Sequence, residues 1–240
     1  MALRSSKPEV AVKAYFYTAP DGFGFVKGQT QPGVAGTYAV EEGEKLATSL
    51  SKRRGFELLQ GNPLVSTAKV GEKRELKVAR EFVYATEYEP PVLGKVIDGE
   101  LQSVTPATPT SFETKNLGVD LGYRAKRLAD GRLEIELELE RGSFLGFVNY
   151  GTPITATRKG AFGRKVEVVL SENRIEMPVF DMKRMKCSLR VNDGDFIAVG
   201  GMTPAEPPRD ARFVPWGTRA PESDGKNFVA LIQVKAAASE

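Results

Sequence analysis

Arg132 to Glu140 reads Arg-Leu-Glu-Ile-Glu-Leu-Glu-Leu-Glu. In an extended chain successive side chains point to opposite faces. Leu133, Ile135, Leu137 and Leu139 therefore share one side, and Glu134, Glu136, Glu138 and Glu140 share the other. The period of two predicts a strand with one face in a core and one face in water. Just before it, Asp130-Gly131 supplies a tight turn. Before that turn Leu117, Val119, Leu121 and Tyr123 alternate in the same way. The pair reads as an antiparallel hairpin.

The same alternation extends outward in both directions. Upstream it predicts strands over Val10–Phe16, Phe56–Gln60, Val65–Val70 and Arg74–Tyr84. Downstream it predicts Lys165–Leu170 and Arg174–Phe180, with Pro178 confining the second to an edge or a bulge. Met185, Cys187, Leu189 and Val191 share a face up to the turn Asn192-Asp193-Gly194, after which Phe196–Val199 is expected to return as the second strand of a hairpin. Phe228–Val234 is the last expected strand. One helix stands out, Glu41–Arg54, with Leu46 and Leu50 a turn apart, acidic residues at its start, basic residues at its end and Gly55 as a stop. Loops are expected over Pro20–Gly36, Ala85–Phe112 and Thr203–Gly225. The second of these is long for a connection, a length that points to function. The fold class is thus α+β and predominantly β: one core domain over residues 1–236, built of antiparallel hairpins with one clear helix, and a tail at 237–240 that frays.

Composition excludes whole classes of chemistry. The chain has 240 residues, of which 41% are hydrophobic and 27% charged, a globular balance. A net charge of +3 does not point to nucleic acid. With no histidine there is no Ser-His-Asp or Cys-His catalysis and no His-ligated metal. The single cysteine, Cys187, rules out an internal disulfide and a multi-cysteine metal site. No apolar run reaches the length of a spanning helix. The first residues have no apolar signal region, so the expectation is a cytoplasmic protein or an exported one without its leader.

Individual motifs resolve mostly into structure. Gly22-Phe23-Gly24 has Lys27 where a dinucleotide fingerprint needs its third glycine. Asn192-Asp193-Gly194-Asp195 lacks the later glutamate of a calcium loop. Neighbouring carboxylates along one strand do not form the cross-cleft pair of a glycosidase. The row Glu134, Glu136, Glu138 and Glu140 is then either a water-facing sheet surface or the lining of an aqueous lumen. Cys187 sits in an apolar series, where free cysteine packs as a small hydrophobe. Phe144, Phe147 and Tyr150 fit core and turn positions better than a membrane girdle. No catalytic, cofactor-binding or metal-ligating set is expected.

Cys187–Met202 reads CSLRVNDGDFIAVGGM. It resembles the hallmark of bacterial secretins, the outer-membrane channel proteins of type II and III secretion and type IV pilus systems. Val191, Asp193, Gly194, Gly200 and Gly201 match V-x-D-G-x-x-x-x-x-G-G, with Met202 as the following hydrophobic residue. Further likenesses occur in the family's order. Lys7-Pro8-Glu9-Val10 resembles the opening strand of the secretin core. Leu58–Pro63, with Asn62 and Pro63 at its end, resembles L-L-S-x-P. Asn116–Leu121, with Gly118, resembles x-V-G-V-x-L. Met177-Pro178-Val179-Phe180 resembles P-V-x-x-x-R, and Phe228–Val234 resembles the closing strand. Arg80–Tyr88 and Thr105–Thr110 are similar to a subfamily of secretin-like proteins. After Gly201 the sequence departs from the family's V-P-x-L-G-D-I-P-x-L-G, keeping only Val214-Pro215 and Gly217.

The resemblance implies a non-catalytic subunit, without cofactor, of a homo-oligomeric ring in the outer membrane or periplasm of a Gram-negative-type bacterium. Many copies would pair edge strands into a barrel that passes a secreted protein or a pilus. By position, the segment holding Pro90, Pro91, Gly94, Pro106 and Pro109 would be its gate, and the glutamate row would face its lumen. The implied partners are other copies of the chain, the cargo and outer-membrane lipid, with no nucleic acid. The alternative is a soluble periplasmic scaffold or interaction domain that keeps the secretin-like fold and forms no pore.

Overall fold

Alternating strands must bury their apolar faces against something, and here two sheets bury them against each other. The computed structural model describes residues 9–20, 23–27, 29, 31–97, 100–101, 103–203 and 227–237. In chain order these form β1 (Glu9–Ala19), β2 (Gly33–Tyr38), α1 (Val40–Lys52), β3 (Glu57–Leu58), β4 (Leu64–Lys69), β5 (Lys73–Glu89), β6 (Val92–Leu93), β7 (Val96–Ile97), β8 (Glu100–Leu101) and β9 (Val104–Thr105). There follow β10 (Thr108–Arg127), β11 (Leu133–Asn149), β12 (Ile154–Lys159), β13 (Lys165–Ser171), β14 (Glu176–Val191), β15 (Phe196–Gly200) and β16 (Asn227–Ala237).

The first sheet has the order β2-β15-β16-β1-β3, with β4 also paired to β1. The second has the order β14-β11-β10-β5. Every pairing in both is antiparallel. Between the sheets lies the main core. Val10, Val12, Phe16, Ile197, Ile232 and Val234 from the first meet Leu121, Tyr123, Leu133, Ile135, Leu137 and Leu139 from the second. Each such large side chain, fully buried, stabilises the fold by roughly 1.5–3 kcal/mol.

The first sheet is covered on its other face as well. Ala47 and Leu50 of α1, with Leu46 beside them, pack on Tyr17, Phe196, Ala198, Val229 and Leu231. This explains why Phe228–Ile232 is apolar without alternation, since a strand covered on both faces loses its polar side. The helix is held by more than burial. Tyr17 Oη donates to Ala47 O at 3.2 Å and lies 2.9 Å from Ser51 Oγ. Gly43 gives α1 its closest approach, because a Cβ there would stand 2.1 Å from the Phe196 ring.

Several expectations change. Val191 and Phe196 do not belong to one hairpin: β14 ends in the second sheet, while β15 pairs with β16 and β2 in the first. Asn192–Asp195 is therefore a corner between sheets. It docks on β16, where Gly194 N–H donates to Val234 O at 2.8 Å and Asp193 Oδ1 accepts from Ala236 N at 2.7 Å. The expected loop Pro20–Gly36 contains the start of β2, which adds to β15 as an edge strand. The strands expected at Arg174–Phe180 and Met185–Val191 are one continuous β14, on the sheet edge as Pro178 requires. Ala237, the first residue of the expected tail, pairs with Glu9, and residues 238–240 lie outside the described residues. β12 carries no counterpart in the sequence reading. Lys7 and Pro8, Gly22, and the segment with Val214, Pro215 and Gly217 lie outside the described residues.

Candidate assembly surface

The second sheet is longer than the sandwich it completes. β10 and β11 pair from Arg127↔Leu133 as far as Gly118↔Gly142. Beyond that point β5–β10 continues to Glu89↔Thr108, and β11–β14 continues to Asn149↔Glu176. Two two-stranded arms thus leave the sandwich together. Gly118 sits where they part, with φ of +134°, and a Cβ there would meet Val78 O at 2.1 Å. Only glycine fits that backbone at that distance.

Aromatic rings fill the space between the arms. Phe82 of β5 lies 4.7 Å from Phe144, 5.8 Å from Phe180 and 6.1 Å from Phe147 between ring centroids. Tyr88 Oη donates to Glu176 O at 3.1 Å, joining the two outer strands near their ends. Phe144 and Phe147 are thus arm core, as their spacing with glycine suggests, whereas Tyr150 is exposed.

The glutamate row lies on the face of β11 away from the core, and each member meets a cation. Glu134 is 3.5 Å from Arg190, and Glu138 is 3.5 Å from Lys73. Glu136 is 3.9 Å from both Arg124 and Lys126. Glu140 accepts from Arg184 Nε at 2.8 Å. Asp120 and Glu75 flank Lys77 at 3.0 and 3.1 Å. Hydrogen bonding to Lys77 pulls the Glu75 carboxyl below its usual range, and bonding to Asp120 raises Lys77. The result is a charge lattice across all four strands, with side chains partly open to water: Glu134 is 28% exposed and Glu136 46%. Such a surface solvates the sheet and can line an aqueous space. Bonded cations along the row do not make it an acid–base pair.

The two outer strands, β5 and β14, are long and end the sheet. Among the described residues no strand adds to the outer edge of either. Rows of unpaired backbone groups on strands this long are templates for another chain.

The segment with Pro90, Pro91, Gly94, Pro106 and Pro109 is not an open loop. β6 pairs with β9 and β7 with β8, so the chain folds back as a narrow hairpin on top of the β5–β10 arm. Pro106 and Pro109 lie at its return: Pro109 pairs with Tyr88, and a register shift follows between Pro109 and Ser111. The sequence hid this because the strands are two residues each and prolines break the period. A second hairpin, β12–β13, rises beside the first and touches it. Their roots are tied by asparagines. Asn173 Oδ1 accepts from Ala107 N at 2.8 Å, and Asn149 Oδ1 accepts from Gly151 N and Ile175 N, both at 2.9 Å. Asn149 and Asn173 are positions that sequence reading missed, since nothing in a lone asparagine signals a buried tie.

The motif residues occupy three separate places. Asn62 and Pro63 lead into β4, Gly118 marks the parting of the arms, and Val191–Gly201 spans the corner and β15. Gly201, with φ of +71°, brings the chain so close to the β2 approach that a Cβ would stand 1.9 Å from Gln31 O. Cys187 is half-buried, and burial pushes its thiol up, away from a reactive thiolate. Among the described residues no cluster of three or more metal-ligating side chains occurs, and no helix is long and apolar enough to cross a membrane, which says nothing of strands.

No protein-family model matches the chain, and comparison with curated proteins finds no match. Among solved structures the chain is similar to the Salmonella SPI-1 type III secretion injectisome secretin InvG, with a TM-score of 0.39 and 13% identity over 98% of this chain and 66% of that one. It is also similar to the type II secretin GspD of enteropathogenic Escherichia coli, with a TM-score of 0.36 and 12% identity over 98% of this chain and 70% of that one. The chain spans somewhat less than two thirds of the InvG chain.

Proposed function

We propose that this chain is a non-catalytic, secretin-like subunit that assembles with copies of itself into a ring. The observation that carries this reading is the pair of long open edges, β5 on one side of the second sheet and β14 on the other. Pairing β5 of one copy with β14 of the next satisfies both rows of backbone groups and, repeated, closes a barrel with no free edge. The ring would sit in the outer membrane or periplasm and pass a secreted protein or a pilus. The lattice around Glu134, Glu136, Glu138 and Glu140 would face the water-filled lumen, and the hairpin between Pro90 and Pro109 would narrow it as a gate. Support for the gate is its place on top of the β5–β10 arm.

A single cysteine at Val83 and another at Met182, in a Cys187→Ser background, test the edge pairing. Disulfide-linked ladders across copies support it; intramolecular bonds alone or no bonds refute it.

One observation favours a second reading, a soluble scaffold domain with no pore. On the outward face of the β5–β10 arm, Val83, Ala85 and Phe112 form an apolar strip that Glu81, Glu87 and Glu89 interrupt. Charges at the centre of a lipid-facing band are costly. Binding of a soluble partner by a strictly monomeric chain would support it.

A further inference from the structure

The β12–β13 hairpin ends in Arg158-Lys159-Gly160-Ala161-Phe162-Gly163-Arg164-Lys165, which holds four basic residues and no acidic one. Phe162 stands at its apex, 102% exposed, in the left-handed region with φ of 63° and ψ of 25°. A bulky residue in that conformation with its ring wholly in water is doubly unfavourable. Positive charge is also gathered at the tip. Lys159 and Lys165 are direct cross-strand partners.

One surface suits both the ring and the charges. An anionic bilayer offers a layer of negative headgroups for the basic residues and, just beneath it, an apolar region for the ring. Aromatic side chains concentrate at that boundary, and basic residues near an anionic leaflet are each attracted to it. A narrow convex tip with one protruding ring fits the flat interface of a membrane better than it fits the concave pocket of a protein. Val166 and Val169 on β13, 48% and 58% exposed, extend the apolar surface below the tip.

We infer that the β12–β13 tip is a membrane-docking element that inserts Phe162 into an anionic lipid surface while Lys159, Arg164 and Lys165 hold the headgroups. The inference stands on this hairpin alone; in an assembled ring it requires that the tip, which touches the gate hairpin, turn toward the bilayer and away from the lumen.

Flotation of the full chain with vesicles of phosphatidylcholine alone, and with vesicles that also carry phosphatidylglycerol, tests it. The expected result is binding to the second kind only, weakened by salt. Arg164→Glu with Lys165→Glu should weaken binding about tenfold or more, and Phe162→Ser by about tenfold. A tryptophan reporter separates insertion from surface attraction. Phe162→Trp in a Trp216→Phe background should shift its emission to the blue with anionic vesicles, and unchanged emission overturns insertion. Equal binding to both vesicle types, or Phe162→Ser binding like the parent protein, overturns the inference. So does binding to soluble polyglutamate with none to vesicles, which would make the tip a site for an acidic protein.

Discussion

Arg141 donates from Nη1 to the backbone carbonyl of Met202 at 2.7 Å, across the interface between the two sheets. The arginine is 4% exposed, and its guanidinium lies over the Phe228 ring at 5.1 Å from the centroid. One side chain of β11, next to the point where the arms part, is thereby fixed to the chain leaving β15 and to β16. It couples the position of the arms to the Gly200-Gly201-Met202 segment.

Arg141→Met keeps much of the volume and removes the charged donor. It should lower the free energy of unfolding by about 2 kcal/mol, the typical worth of a buried hydrogen bond from a charged group. Arg141→Lys should recover only part of this, since an ammonium lacks the planar fork that both bonds and stacks. Urea denaturation of the three proteins measures the differences.

Gly43→Ala in the first turn of α1 should destabilise the protein, the reverse of the usual gain. Alanine is ordinarily better than glycine inside a helix by about 1 kcal/mol. Here its Cβ would stand 2.1 Å from the Phe196 ring. Overpacking of a core costs about 1–3 kcal/mol, so the net change should be a loss of up to roughly 2 kcal/mol. A gain in melting temperature would show that α1 does not press on β15.

Tyr123 should make the fold sensitive to alkali. Its hydroxyl lies 3.0 Å from Ser66 Oγ, linking β10 to β4, and burial pushes the phenol above its ordinary value. The native state therefore holds the proton more tightly than the unfolded chain, whose tyrosines titrate near pH ~10. The resulting stabilisation is complete below that pH and is lost as pH rises through the native value. Tyr17 is raised by burial too and acts in the same sense. Unfolding free energies measured from pH 8 upward should fall above about pH 10, and Tyr123→Phe should flatten the fall. An unchanged slope in the variant would assign the effect elsewhere.

The glutamate row should matter for permeation and little for folding. Single exposed ion pairs contribute about 0–1 kcal/mol, so Glu136→Gln or Glu138→Gln should barely change stability. If the row lines the lumen, replacing all four glutamates by glutamine should shift the reversal potential of reconstituted channels toward anion preference. An unchanged reversal potential in open channels would place the row on an outer wall.

The regions legible in the sequence are those where one face is buried and one is wet. Leu133–Glu140 and Leu117–Tyr123 alternate cleanly because the sheet has a core on one side only, and their pairing through Asp130-Gly131 follows directly. The glutamate row stood out for the same reason, though its lattice of cations on β5, β10 and β14 needed the register. Alternation failed where a second layer intervenes. α1 covers the first sheet, so Phe228–Ile232 carries no polar face, and β2 is too rich in glycine to signal. The Asp193-Gly194 corner was misread as a hairpin because turn chemistry fixes a local reversal, while only packing decides which sheet receives the next strand. The arms beyond Gly118 and Gly142 were read short, since their faces pack on each other through rings instead of on the main core.

The central claim is that copies of this chain assemble into a ring. Light scattering of the purified protein, first in buffer and then in detergent or with liposomes, tests it most directly. A large species of discrete mass that appears or persists with lipid is the predicted result. A strict monomer under every condition would contradict the ring.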